Sequence, residues 1–322
     1  MDEVFFGTIV ASTLRVSVPL ILCALAGVLC ERAGVIDLGL EGKMLATAFA
    51  TAAVGVTTGS LGLALIAAVA VGLALSMLHG YACVSHRGDQ VVLGMAITMT
   101  AAGLTVVLGI AWFAQGGQTP AVPEAVRLDG WFGGLGDALK TAPFIGTALA
   151  LAFTGHNAMV YGALALVVAV WWLLYRTRFG LRLRAAGENP AMVDAAGVSV
   201  KALRYQALAL NGVLASLAGA YLVLAQNPSF IPHMTAGRGY MALAALIFGK
   251  WHPVGALWAC LLFGFLDAIS IRLQGASLPL IGEVPVQAIQ ALPYVLTVVL
   301  LAGFIGSAVA PKALGRPYVK ER

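Results

Sequence analysis

The sequence predicts an all-α, polytopic membrane protein, and three observations carry that prediction. Of the 322 residues, 60% are hydrophobic and only 10% are charged, with a mean hydropathy of +0.92. Soluble domains carry roughly 25% charged residues, so water cannot be the solvent for most of this surface. The apolar residues come in runs near the roughly 20 residues that a helix needs to cross a hydrocarbon core about 30 Å thick. The runs do not alternate apolar with polar in segments of about ten residues, as the strands of a membrane β-barrel would.

Taken in order, nine apolar segments (range 8–10) fall near 5–30, 39–56, 61–82, 91–113, 157–175, 205–225, 238–250, 253–272 and 286–309. No long polar domain separates them, so 1–322 reads as one transmembrane domain. The seventh segment is short for a crossing. The N-terminus begins MDEVFF, with acids where a signal peptide has a basic region, so the first span is expected to be retained. Cys23, Cys30, Cys83 and Cys260 lie in apolar segments without disulfide or metal spacing and read as packing residues.

Charge sets the topology. Arg176, Arg178, Arg182, Arg184, Lys201 and Arg204 crowd one loop, and Lys312, Arg316, Lys320 and Arg322 close the chain. Cationic loops stay cytoplasmic. The 176–204 loop and the 310–322 tail are therefore expected inside, and 114–156 and the N-terminus outside. The net charge of +5 is explained by topology rather than by a nucleic-acid partner. Within 114–156, the run TAPFIGTALALAF (141–153) is too short to span and reads as a re-entrant or interfacial helix.

Two stretches interrupt the helical pattern in parallel ways. One is GVIDLGLEGKML, 34–45, with Asp37, Gly39, Glu41, Gly42 and Lys43. The other is NPSFIPHMTAGRGYMALAALIFGKWHP, 227–253, with Pro228, Pro232, Gly237, Arg238 and Gly239 ahead of a short apolar helix. Interrupted short segments in both halves of a transporter point to internal repeats and to the solute route. Non-helical backbone at membrane depth has to be buried in protein or line water. Two readings of the first stretch stand: a break beside a solute pathway, or a turn at the cytoplasmic surface.

Catalytic and metal chemistry are not indicated. His79, His86, His156, His233 and His252 show no ligand spacing, so neither a metal nor a cofactor is expected. No GxxxxGK[ST] phosphate loop is present; LEGKML has Met44 where a hydroxyl is needed, and GDALKT lacks the glycine before Lys140. In RAAGENPAMVDAAGVSV, Asn189 and Pro190 are a helix-start pair, predicting a short helix over 190–196 that stops at Gly197. Asn211 lies on a helix with Gly212, Ala215, Ser216, Ala218 and Gly219, small residues that allow close helix contact. Asp267 lies inside an apolar span, with Arg272 as its candidate partner.

Five stretches together resemble the permease subunits of nucleoside and simple-sugar ABC importers, a family related to ribose and branched-chain amino acid permeases. They are ERAGVIDLGLEGKMLATAFA, HRGDQVVLGMAIT, GENPAMVDAAGVSV, NGVLASLAGAYL and GRGYMALAALIFGKWHPVGAL, in the family's order. Asp37 stands where many members have Asn, and ITMT (97–100) where many have an Asn-containing run. The resemblance therefore implies the class more firmly than the solute. It implies a non-enzymatic subunit of the bacterial inner membrane that conducts a small solute, a nucleoside first and a pentose-type monosaccharide second. Its implied partners are a cytoplasmic ABC ATPase, a second and related permease, and an extracytoplasmic solute-binding protein or lipoprotein. Asp37, Gly39, Glu41, Gly42, Thr98, Asn211, Gly237 and Arg238 become candidate pathway residues. Gly187, Glu188, Asn189, Pro190, Asp194, Ala195 and Gly197 become the segment that docks on the ATPase. A reading from another class, an ion-coupled carrier, would rest on Asp37, Glu41 and Asp267.

Overall fold

The computed structural model describes residues 2–128, 154–273 and 308–320, with Ala150 and a few positions between 277 and 299. The described chain is helical: α1 (Asp2–Arg32), α2 (Leu40–Thr58), α3 (Leu61–Gly80), α4 (Gln90–Phe113), α5 (Ala158–Arg176), α6 (Arg178–Glu188), α7 (Pro190–Ala195), α8 (Val200–Tyr221), α9 (Arg238–Phe248) and α10 (Pro253–Leu273). One two-residue antiparallel pair joins Ser277–Leu278 to Gly282–Glu283.

Helices start where the sequence supplies an oxygen for the orphan first-turn amides. Ser60, Asp89, Asn157, Thr177, Asn189 and Ser199 cap α3, α4, α5, α6, α7 and α8 in turn. Asp89 does this twice, its Oδ1 accepting from Val91 N at 2.9 Å and Val92 N at 3.0 Å. By contrast, α2 and α9 start at Gly39 and Gly237 without any side-chain cap of their own.

The centre of the bundle is α1. Every residue from Ser17 to Glu31 is buried, against α10, α8, α9 and α5. Contact is close where small residues permit it: a Cβ on Gly264 would collide with Ser17, and one on Gly27 with Leu246. Beside this core, α2 packs on α3, α4 and α8. The Gly72–Gly212 contact brings α3 and α8 within backbone distance, a Cβ on Gly72 lying 2.5 Å from the Gly212 carbonyl oxygen. The outer faces of α3 and α4 stay apolar and exposed, as at Ile66, Val92, Met99 and Val107.

Six described helices are long and apolar enough to cross a membrane. Two further expected segments, 39–56 and 238–250, form helices that fall outside that set. Glu41 and Lys43 lower the hydropathy of α2, and α9 has only 11 residues. Segment 286–309 and the run 141–153 lie largely outside the described residues. The expected 176–204 loop is mostly helical: α6 precedes the predicted short helix, which runs over Pro190–Ala195. The left-handed Gly197 (φ +77°) follows it.

The tail is folded back rather than free. Ala313 N donates to Gly187 O at 2.8 Å, and Gly315 N to Gly34 O at 3.3 Å. Arg204, buried on α8, donates from Nε to Ala33 O at 3.2 Å and from Nη1 to Arg316 O at 3.1 Å. One basic side chain thus ties the end of α1, the foot of α8 and the tail together.

Candidate functional site

The first break is buried within the protein. Asp37 and Lys43 are 0% exposed and Glu41 is 7% exposed. An unpaired charge at such a position costs several kcal/mol, so the partners decide what the stretch does.

Asp37 and Lys43 neutralise each other. Lys43 Nζ lies 2.6 Å from Asp37 Oδ2 and donates a second hydrogen bond to Asn211 Oδ1 at 2.9 Å. Ser76 Oγ donates to the same Asn211 oxygen at 3.1 Å, while Asn211 Nδ2 donates to Ala26 O at 3.1 Å. Asp37 Oδ1 accepts from Gly39 N at 3.0 Å, closing the turn into α2. His79 Nδ1 comes within 3.4 Å of that oxygen without making a hydrogen bond. Four chain segments therefore meet on one ion pair: the α1 interior, the break, α3 and α8.

Glu41 serves the second break. Its Oε1 accepts from Gly237 N at 2.8 Å and its Oε2 from Gly239 N at 2.6 Å. A carboxylate on the first-turn amides of a helix satisfies orphan donors and complements the positive end of the helix dipole. The other end of α9 is held by α1. Arg32 Nε donates to Trp251 O at 2.9 Å, and Glu31 accepts from the Trp251 indole N–H. In the same turn, burial and then the Arg32 guanidinium hold His252 below the ordinary imidazole range. The short helix is clamped at both ends by residues 31–41.

Glycines let the pieces touch. A Cβ on Gly42 would lie 2.4 Å from Thr98 Cα, and one on Gly239 2.6 Å from Glu41 Cα. Gly94 packs on Gly39 in the same way. The candidate residues Asp37, Gly39, Glu41, Gly42, Thr98, Asn211 and Gly237 are thus brought into one cluster. Arg238 points from its edge, Nη1 donating to Gln226 Oε1 at 2.9 Å. Thr98 spends its hydroxyl on Gly94 O at 3.2 Å. Sequence reasoning missed three members as site residues: Lys43, which lies in the quoted motif, and Ser76 and His79 of α3. Those two stand three residues apart on an otherwise apolar helix, and that spacing was the available signal. Among the described residues, no group of three or more His, Cys, Asp and Glu side chains is placed to hold a metal ion.

The second candidate set clusters at the basic end of the bundle. Asn189 Oδ1 accepts from Met192 N at 3.2 Å and starts α7, with Pro190 at its first position. Asp194 pairs with Lys320 of the tail at 3.5 Å. Gly187 lies under the end of α1, where a Cβ would be 2.2 Å from Arg32 O. Glu188, Ala195 and Gly197 are exposed.

The six long apolar helices mark a multi-pass membrane protein. The chain belongs to the family described as branched-chain amino acid transport system / permease component, whose model matches residues 9–305. It is 40% identical over 327 residues to the guanosine ABC transporter permease protein NupQ of Bacillus subtilis (strain 168), with 99% of each chain covered. Over 322 residues it is 38% identical to the nucleoside ABC transporter permease protein NupC of Lactococcus lactis subsp. cremoris (strain MG1363), covering 98% of this chain and 97% of that one. The ribose import permease protein RbsC of Escherichia coli (strain K12) is more distant, 31% identical over 253 residues, with 75% of this chain and 71% of that one covered. As an ABC transporter permease, the chain is a transport component rather than an enzyme, and it works with an ATPase and a solute.

Proposed function

We propose that this chain is the membrane-spanning subunit of an ABC importer for nucleosides, and that the Asp37–Glu41–Gly237 cluster borders its solute route. The observation that carries this reading is that the charges of the cluster are already engaged within the protein. Asp37 is paired with Lys43, and Glu41 with the start of α9. A charged solute needs a counter-charge to replace its hydration, whereas a neutral one needs hydrogen-bonding groups and shape. Nucleosides are neutral, and the relatives NupQ and NupC are named for guanosine and nucleosides. A monosaccharide is the second reading, favoured by the likeness to RbsC.

In this reading the basic loop and tail face the cytoplasm and α7 docks on the ATPase. A second, related permease completes the route, and an extracytoplasmic binding protein delivers solute in a bacterial inner membrane. Uptake of labelled purine and pyrimidine nucleosides, compared with ribose, in a deletion strain carrying this chain tests the solute. Nucleoside uptake is expected; uptake of ribose alone overturns it. The four native cysteines are buried, so single Ser199→Cys and Val319→Cys variants report topology cleanly. Neither should react with an impermeant maleimide in intact cells, and ready labelling of both would invert the orientation.

A further inference from the structure

A pocket of about 410 Å³ opens at the basic end of the bundle, away from the buried cluster. Its walls come from three segments distant in sequence. The turn between α3 and α4 gives Ser85 and Arg87, the first turn of α8 gives Ser199 and Lys201, and the tail gives Tyr318 and Lys320. Arg204 forms part of the lining; it is 2% exposed, and its guanidinium turns toward Ala33 O, Arg316 O and Gly34. Four cations therefore surround the space against one acid, Asp194, which is engaged by Lys320.

Two features favour an anion here. Like charges gathered around a concavity repel until a counter-ion enters, and low-dielectric walls focus their field. The first turn of a 22-residue helix adds the positive end of its dipole. The rim also carries the Ser85 hydroxyl, bonded to Tyr205 at 2.7 Å.

We propose that this pocket binds a phosphate group, clamping the α3–α4 turn, the foot of α8 and the tail to one another. Guanidinium and ammonium groups converging with hydroxyls are the donor set phosphate selects. The phosphate has two sources. One is the headgroup of an anionic phospholipid, whose chains would run along the exposed Tyr81 and Val92 beside the turn. The other is a free phosphate from the aqueous phase. The site is independent of which solute the permease conducts.

The test uses the full-length chain. Its thermal unfolding midpoint is measured in phosphatidylcholine nanodiscs, in nanodiscs that also contain phosphatidylglycerol, and in phosphatidylcholine with inorganic phosphate against chloride at equal ionic strength. Phosphatidylglycerol or inorganic phosphate is expected to raise the midpoint by binding the folded state. A rise with phosphatidylglycerol alone assigns the site to lipid; a rise with inorganic phosphate alone assigns it to free phosphate. The double variant Arg87→Gln/Lys201→Gln removes two exposed cations and leaves Arg204 in place. Anion affinity should fall roughly tenfold or more, while Arg87→Lys/Lys201→Arg keeps it. An unchanged response in the Gln variant, or equal stabilisation by chloride, overturns the proposal. Should the Gln variant fail to fold, native mass spectrometry of the unaltered chain decides: equal retention of phosphatidylglycerol and phosphatidylcholine, with no bound phosphate, also overturns it.

Discussion

The helices α2 and α9 both begin at a glycine inside the bundle, yet they solve the same problem differently. The first turn of a helix exposes amide donors that lipid cannot satisfy. At the start of α2 the answer is local: Asp37, two residues before Gly39, accepts its amide. At the start of α9 the local acceptor Thr235 O takes the Arg238 amide, and Glu41 reaches across from the first break to accept from Gly237 and Gly239. The Gly39 amide is therefore served within its own break, while the start of α9 depends on the first break. The charge that looks out of place in the first stretch is what completes the second.

The greatest loss should follow from splitting the Asp37–Lys43 pair. Lys43→Met leaves Asp37 buried without its partner, which costs about 3–5 kcal/mol. The unfolding midpoint in detergent should drop sharply and the yield of folded protein with it. Replacing both partners, Asp37→Asn with Lys43→Met, removes the uncompensated charge and should recover most of the stability. A double variant as unstable as the single one would mean that the break depends on the Asn211 and Gly39 contacts rather than on charge balance.

Next in size is the borrowed cap. Glu41→Ala strands two donors at the start of α9, at a cost of about 2 kcal/mol or more. Glu41→Gln keeps an acceptor but loses the charge facing the helix dipole, a loss of about 1 kcal/mol. Uptake is the second readout. If the cluster borders the solute route, both variants should lower nucleoside uptake more than they lower retention of the ATPase. Normal uptake by both would leave Glu41 a structural clasp alone.

How much of this was legible follows from the same contrast. Local signals were read well: the Asn189–Pro190 start predicted α7 to within a residue of its end, and both breaks were visible as glycine- and proline-rich interruptions. The candidate pathway residues also came together. What could not be read was pairing across the chain. Nothing near Glu41 in sequence indicates that its acceptors serve amides almost two hundred residues away, as the Gly237 and Gly239 bonds do. The tail looked like a simple basic tail because its anchors are backbone groups, Gly187 O and Gly34 O, which carry no sequence signature. Likewise, the arginine-rich stretch read as a loop although Thr177 caps a helix there. Its charges signalled topology and masked the amphipathic pattern.

The smallest effects should separate the two starting glycines most sharply. Gly39 has an ordinary backbone, φ −79°; it is a glycine for want of space, since a Cβ would lie 3.1 Å from Asp37 Oδ1 and 3.4 Å from Gly94 O. Gly237 sits at φ +80°, where a Cβ meets its own backbone, so there the constraint is conformational. Alanine should therefore cost about 1–2 kcal/mol at 237 and about 1 kcal/mol at 39, where neighbours have only to shift by tenths of an ångström. Asparagine should reverse the order. It tolerates the left-handed region, so Gly237→Asn should recover part of the alanine penalty, whereas the larger side chain at 39 can only worsen the contact with Gly94. Four midpoints, measured in one detergent, give the comparison. If asparagine is worse than alanine at both positions, space governs both starts and the left-handed backbone of Gly237 is not what fixes its identity.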